Sequence, residues 1–293
     1  MDAGFPDRLA ARVEERRSQV LLGLDPDPAT LWPGAAEAGS PAAAVARHCR
    51  AAIDAVGESC VGVKLQLACF ERLGPPGWTA LAEVAAYAAD RGHLVLGDGK
   101  RGDVPVTAKA YAEAYFGAAG PRVDAVTANP LLGRDSLEPL IEGALAAGAG
   151  CFVLVRTSNP GAAEIQDAPA PDRPLHELLA RMVDELGAGS IGACGLSAVG
   201  AVTGATRPEL LERLRELMPR TIFLVPGVGA QGGSIDDLAP AFAPGAAAGL
   251  ITASRSIVNA HADRGGDPAP AAAAAAEELR AAAWALSHQR PRG

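Results

Sequence analysis

The chain has 293 residues, 49% hydrophobic and 20% charged, with a formal net charge of −8 at pH 7. This balance suits a globular chain with a sizeable core, and the negative charge disfavours broad binding to nucleic acid or anionic membranes. Any anionic small-molecule substrate would need a locally basic pocket.

From Met1 to Val20 the chain carries Asp2, Asp7, Arg8, Arg12, Glu14, Glu15, Arg16 and Arg17, with no apolar segment resembling a signal peptide. No apolar stretch reaches membrane-spanning length, so a cytoplasmic protein is expected. Eight short apolar runs then follow in order: Val20 to Asp25, Val61 to Gln66, Leu94 to Lys100, Ala125 to Asn129, Phe152 to Ser158, Leu196 to Thr203, Ile222 to Gly227 and Leu250 to Arg255. Nearly all end in residues able to do chemistry. Between them lie stretches such as Ala80 to Arg91, Leu137 to Ala147 and Pro208 to Met218, with alanine, leucine and glutamate at helical spacing.

Alternating strands and helices imply parallel strands joined by right-handed crossovers, and eight such units predict an α/β (β/α)8 TIM barrel spanning residues 1–293 as one domain. Its active site would lie at the C-terminal ends of the strands. A doubly wound open sheet is the rival, but no G-x-G-x-x-G follows the first strand, and polar residues end strands throughout rather than at one switch point. Asn159 to Pro174, rich in Pro, Asp and Ala, reads as an extended loop after the fifth strand, a lid or flap over the site. The tail from Asp267 through Ala271–Ala276 to Trp284 predicts a C-terminal helix packed on the barrel exterior. Cys49, Cys60, Cys69, Cys151 and Cys194 show no C-x-x-C spacing and read as buried free thiols.

The most informative segment is Asp98-Gly99-Lys100-Arg101-Gly102-Asp103, which continues the buried run His93 to Gly97. Alternation along a strand points Asp98 and Lys100 the same way, and burying ions costs several kcal/mol unless they are paired. Gly102 allows a turn that presents Asp103 to the same region or to a neighbouring subunit. Lys64 lies within another buried run, where its ammonium either emerges beside Asp98 or snorkels to solvent. Asp25, followed by Pro26, either accepts a substrate hydroxyl or caps a helix.

Pro226 to Gly233, including Gln231 and Gly232, follows the seventh strand, and Ala253-Ser254-Arg255-Ser256 follows the eighth. Barrels often build a phosphate site from these two loops, with glycine allowing close backbone approach and Arg255 adding a charge-assisted contact. Thr157-Ser158-Asn159-Pro160-Gly161 carries two hydroxyls and an amide, suited to reading the polar edge of a base or to closing a hydrogen-bonded turn. Asn129-Pro130 and Asp135-Ser136 look like turn and helix-start chemistry. The five histidines show no metal-ligand spacing, and no serine lies in a G-x-S-x-G elbow.

Together these blocks resemble the orotidine 5′-phosphate decarboxylase family, particularly its longer bacterial type 2. The matching segments are Gly23-Leu24-Asp25-Pro26, Lys64-Leu65-Gln66, Asp98 to Asp103, Thr157 to Gly161, Pro226 to Gly233 and Ala253 to Ser256. They recur in the family's order over almost the whole chain. Val104-Pro105 and Arg156 depart from the common pattern without removing a charged member of it.

The resemblance implies cofactor-free, metal-free decarboxylation of orotidine 5′-monophosphate to uridine 5′-monophosphate, the last step of pyrimidine nucleotide synthesis. It implies Lys100 as proton donor within a Lys64-Asp98-Lys100-Asp103 array, with Asp103 and Thr107 supplied by the partner in a homodimer. It further implies that Gln231, Gly232, Ser254 and Arg255 serve the phosphate, that Ser158 reads the pyrimidine, and that Asp25 with Lys64 contacts ribose. Metal-dependent sugar-phosphate decarboxylases and aldolases share the barrel and the D-x-K-x-x-D motif. Those relatives place an acidic ligand near the position of Lys64, which disfavours a divalent metal here. A silent nucleotide-phosphate-binding barrel is a third reading, opposed by the complete charged array.

Overall fold

The computed structural model describes residues 3–228 and 232–289. The strands are β1 (Val20–Leu24), β2 (Gly62–Gln66), β3 (Leu94–Arg101), β4 (Ala125–Ala128), β5 (Gly150–Arg156), β6 (Pro169–Ala170), β7 (Arg173–Pro174), β8 (Ser197–Thr203), β9 (Thr221–Pro226) and β10 (Gly249–Ala253). Among the described residues, eight parallel strands close into a barrel in the order β1-β10-β9-β8-β5-β4-β3-β2. The eight apolar runs are these eight strands, and the open-sheet rival falls because β1 pairs with both β2 and β10.

Alternation along each strand builds two apolar layers. Inward side chains such as Leu21, Leu96, Phe152, Ile222 and Leu250 fill the barrel interior. Outward ones such as Val63, Val153, Phe223 and Ile251 pack beneath the surrounding helices. Fully burying each such side chain stabilises the fold by about 1.5–3 kcal/mol. The end opposite the site is sealed by a helix that the charge-rich start of the sequence hid, Phe5–Arg16. Phe5, Leu9 and Val13 recur every fourth residue and enter the inner core, where Phe5 meets Phe152 edge-on at 5.9 Å. Arg8 fastens the helix to Asp124, just before β4, at 2.5 Å.

The predicted helices are present as Pro75–Asp90, Arg134–Ala146 and Pro208–Leu217. The fifth strand lies two residues earlier than its apolar run suggests. It begins at Gly150, whose N–H reaches Asp124 O, and it ends at Arg156 because the Thr157 N–H leaves the ladder to meet Gln166. The segment after it is more structured than a plain loop: a short helix, Ala162–Gln166, leads into the antiparallel pair β6–β7. The tail helix runs Pro268–Ser287, capped by the Asp267 carboxylate, and Ala272, Ala276, Ala283 and Leu286 join the outer core.

The expectation of buried thiols holds for Cys49, Cys60 and Cys151, whereas Cys69 is half-buried and Cys194 is exposed. Cys194 sits in an exposed turn whose backbone N–H groups at Ala193 and Cys194 are both held by the Asp7 carboxylate. Among the described residues, no helix is long and apolar enough to cross a membrane.

Candidate active site

A cavity of about 770 Å³ opens at the C-terminal ends of the barrel strands. Lys64 from β2, Asp98 and Lys100 from β3 and Thr127 from β4 form its polar floor, while Leu154, Val202 and Leu224 form an apolar one across the barrel. Asp25, Ser158, Ser254 and Arg255 line its upper wall.

Asp98 lies at the centre of the charges. Its Oδ2 accepts from Lys64 Nζ at 2.7 Å, and its Oδ1 accepts from Lys100 Nζ at 2.6 Å and from the Thr127 hydroxyl at 2.8 Å. Lys64 Nζ also stands 3.6 Å from Asp25 Oδ1. One chain thus supplies an alternating row, Asp25–Lys64–Asp98–Lys100. Burial is the largest influence on Asp98 and acts upward, but Lys64 and then Lys100 outweigh it and hold the carboxyl down to about 2. For Lys64, burial pulls the ammonium down most strongly, yet attraction from Asp98 and Asp25 together raises it above the ordinary lysine value. Lys64 and Asp98 are only 8% and 7% exposed at the side chain, whereas Lys100 is 41% exposed and faces the open cavity.

Asp98 and Lys100 do share a face, by a route that simple alternation does not describe. The β3–β4 register shifts between Gly97 and Arg101, and Lys100 adopts a left-handed φ of 48°. Its backbone N–H is caught by Thr127 Oγ1 at 2.9 Å. Arg101 points away from the cavity to the Tyr115 hydroxyl and the Glu71 carboxylate.

The structure resolves several alternatives left open by the sequence. Lys64 does not snorkel; its ammonium is buried between carboxylates. Asp25 caps no helix, since turns follow it. Asn129 accepts from the Leu131 N–H in a turn and Asp135 lies in the first turn of its helix, as their sequence context predicts. Asp103 does not join the row: its carboxylate accepts from its neighbour Val104 N–H at 2.7 Å. Neither Asp103 nor Thr107, half-buried on helix Pro105–Phe116, lines the cavity. Gly232 is exposed, with φ of 89°, and does not line it either. Gln231 lies outside the described residues.

Three polar cavity residues escaped the sequence reading. Thr127 looks like an ordinary strand residue until β4 brings it against Asp98. Thr252 lines the cavity with a buried hydroxyl that has no hydrogen-bond partner. Gln166 reaches the cavity wall from the insertion. Among the described residues, no three His, Cys, Asp or Glu side chains gather as a metal site, and the nearby Asp25 and Asp98 are both engaged by Lys64.

The family model for the orotidine 5′-phosphate decarboxylase / HUMPS family matches residues 18–274. A relative from Rhodopirellula baltica, named orotidine 5′-phosphate decarboxylase, is 44% identical over 268 residues, covering 88% of this chain and 89% of its own. A Deinococcus radiodurans protein of the same name is 39% identical over 282 residues, covering 96% and 99%. The solved structure of Leishmania donovani OMP decarboxylase superposes with a TM-score of 0.77 at 34% identity, covering 96% of this chain and 99% of that one. With a family match over most of its length and these identities along nearly the whole chain, the chain belongs to the orotidine 5′-phosphate decarboxylase family.

Proposed function

We propose that Lys100 is the proton donor in decarboxylation of orotidine 5′-monophosphate, within the row Asp25–Lys64–Asp98–Lys100. The reaction itself yields uridine 5′-monophosphate and CO2 and completes pyrimidine nucleotide synthesis. The observation that carries the assignment is the pairing of Lys100 Nζ with Asp98 at 2.6 Å while its side chain remains open to the cavity.

Breaking the bond between C6 and the carboxylate leaves an electron pair on C6 with no adjacent electron sink. A fixed ammonium stabilises that charge as it develops. Lys100 then gives its proton to C6: the N–H bond breaks, the C6–H bond forms, CO2 departs, and solvent restores the ammonium. Asp98 keeps both lysines charged and converged, and Thr127 fixes both the Asp98 carboxylate and the Lys100 backbone. Arg255 and Ser254 line the cavity and are suited to the phosphate; the family resemblance adds Gln231 and Gly232 from the preceding loop to that role. Ser158 is suited to the pyrimidine, and Asp25 with Lys64 to ribose hydroxyls. Phosphate binding far from the broken bond holds C6 in place and favours closure.

The reading needs no metal, and the test is direct. Purified protein mixed with orotidine 5′-monophosphate should form uridine 5′-monophosphate at the same rate with and without a chelator; turnover abolished by the chelator would favour the metal-dependent reading.

The active unit is a homodimer in which Asp103 and Thr107 serve the neighbouring site. Supporting this, Asp103 is turned away from its own chain's row, beside the exposed apolar residues Val104 and Val106. Leu131 and Leu132, on the loop following the adjacent strand, are exposed as well. Lys100→Ala and Asp103→Ala should each be inactive. Mixing them in equal amounts with subunit exchange should restore about a quarter of the sites, because half the dimers are mixed and each holds one intact site. Demonstrated exchange without recovered activity would remove Asp103 from that role. The protein is assigned to the cytoplasm, where its five unpaired cysteines suit a reducing setting.

A further inference from the structure

The insertion after β5 is fastened to the end of that strand by two adjacent residues. Gln166 Oε1 accepts the Thr157 N–H at 2.8 Å, and its Nε2 donates to Thr157 Oγ1 at 3.0 Å, so the side chain continues the work of a neighbouring strand where the ladder stops. Asp167 receives Arg156 Nε at 2.8 Å and a second guanidinium nitrogen at 3.1 Å, in a forked contact. Arg156 is 5% exposed and also donates to Thr157 O at 2.5 Å. His176 Nδ1 lies 3.1 Å from the same carboxylate, and Arg207, on the loop after β8, stands 3.8 Å from it.

These contacts hold the two residues that precede Ser158. The loop after β8 also closes in: Gly204 donates to Arg156 O at 2.7 Å, and a Cβ at Gly204 would lie 2.8 Å from the Ser158 backbone. Thr206 Oγ1 donates to Ser158 O at 3.3 Å. Ser158 is therefore held directly from the loop after β8 and, through Arg156 and Thr157 before it, from the insertion.

We propose that Gln166 and Asp167 are positioning residues for Thr157–Ser158, so that the insertion sets the geometry of pyrimidine recognition. This rests on the reading that Ser158 contacts the pyrimidine. A residue that acts only through base recognition affects ligands that carry a base and spares those that do not. A general loss of structure affects both alike.

The test compares inhibition by uridine 5′-monophosphate with inhibition by ribose 5-phosphate in Gln166→Ala, Asp167→Asn and Ser158→Ala, alongside the melting temperature. Gln166→Ala and Asp167→Asn should each raise the inhibition constant of uridine 5′-monophosphate about tenfold, as expected for loss of one or two aligning hydrogen bonds. The constant for ribose 5-phosphate should stay within about twofold. Gln166→Glu keeps the acceptor for the Thr157 N–H and should recover most of the nucleotide affinity. Equal weakening of both inhibitors, or no weakening of either, in Gln166→Ala and Asp167→Asn while Ser158→Ala selectively weakens the nucleotide would overturn the inference alone. A Ser158→Ala variant that binds the nucleotide normally would instead overturn the reading of Ser158 on which it rests.

Discussion

Asp98→Ala should lower kcat by at least about 10⁴-fold and cost the fold about 3–5 kcal/mol, because it takes the carboxylate from between two ammonium groups and leaves a buried lysine with a weaker partner. Lys64, 8% exposed, would retain only Asp25 at 3.6 Å, and Lys100 would lose its 2.6 Å contact. The Thr127 hydroxyl would lose its acceptor as well. Asp98→Asn separates charge from shape, since it keeps the volume of the side chain and removes the charge.

The same carboxylate gives a pH signature. Its pKa is lowered from 3.8 to about 2, so its stabilisation, on the order of 2 kcal/mol, is fully present above the unfolded value. That contribution is lost as pH falls from about 4 to about 2. Urea unfolding across this range should therefore show a steeper acid loss for the wild type than for Asp98→Asn. Equal slopes would mean that Asp98 is not held ionised by the lysines.

Much of this architecture was legible because parallel strands buried on both faces leave continuous apolar runs, and their polar ends mark the rim. The eight runs were readable for that reason, as were Asp98, Lys64 and Arg255 on or just beyond them. The ends of β5 were less so: the strand stops where the Thr157 N–H finds Gln166, a partner supplied by an insertion whose path the sequence does not reveal. The Phe5–Arg16 helix was masked by its many charges, although Phe5, Leu9 and Val13 recur every fourth residue. Thr127 carries no local signal at all, because its importance comes from the β3–β4 pairing. The shared orientation of Asp98 and Lys100 was anticipated by strand alternation. What produces it is a register shift and a left-handed residue, neither of which a charged hexapeptide announces.

Lys100 offers the sharpest separation of chemistry from binding. The groups assigned to phosphate, pyrimidine and ribose lie on or just after other strands, so Lys100→Ala should leave uridine 5′-monophosphate affinity within about tenfold of wild type. If Lys100 is the proton donor, its removal takes away both the charge facing C6 and the proton delivered there, two effects that together are worth at least about 10⁵-fold in kcat. The decisive measurement is kcat for orotidine 5′-monophosphate in Lys100→Ala beside its affinity for uridine 5′-monophosphate. The account predicts turnover at least about 10⁵-fold below wild type with nucleotide binding retained; a kcat within about tenfold of wild type would contradict it.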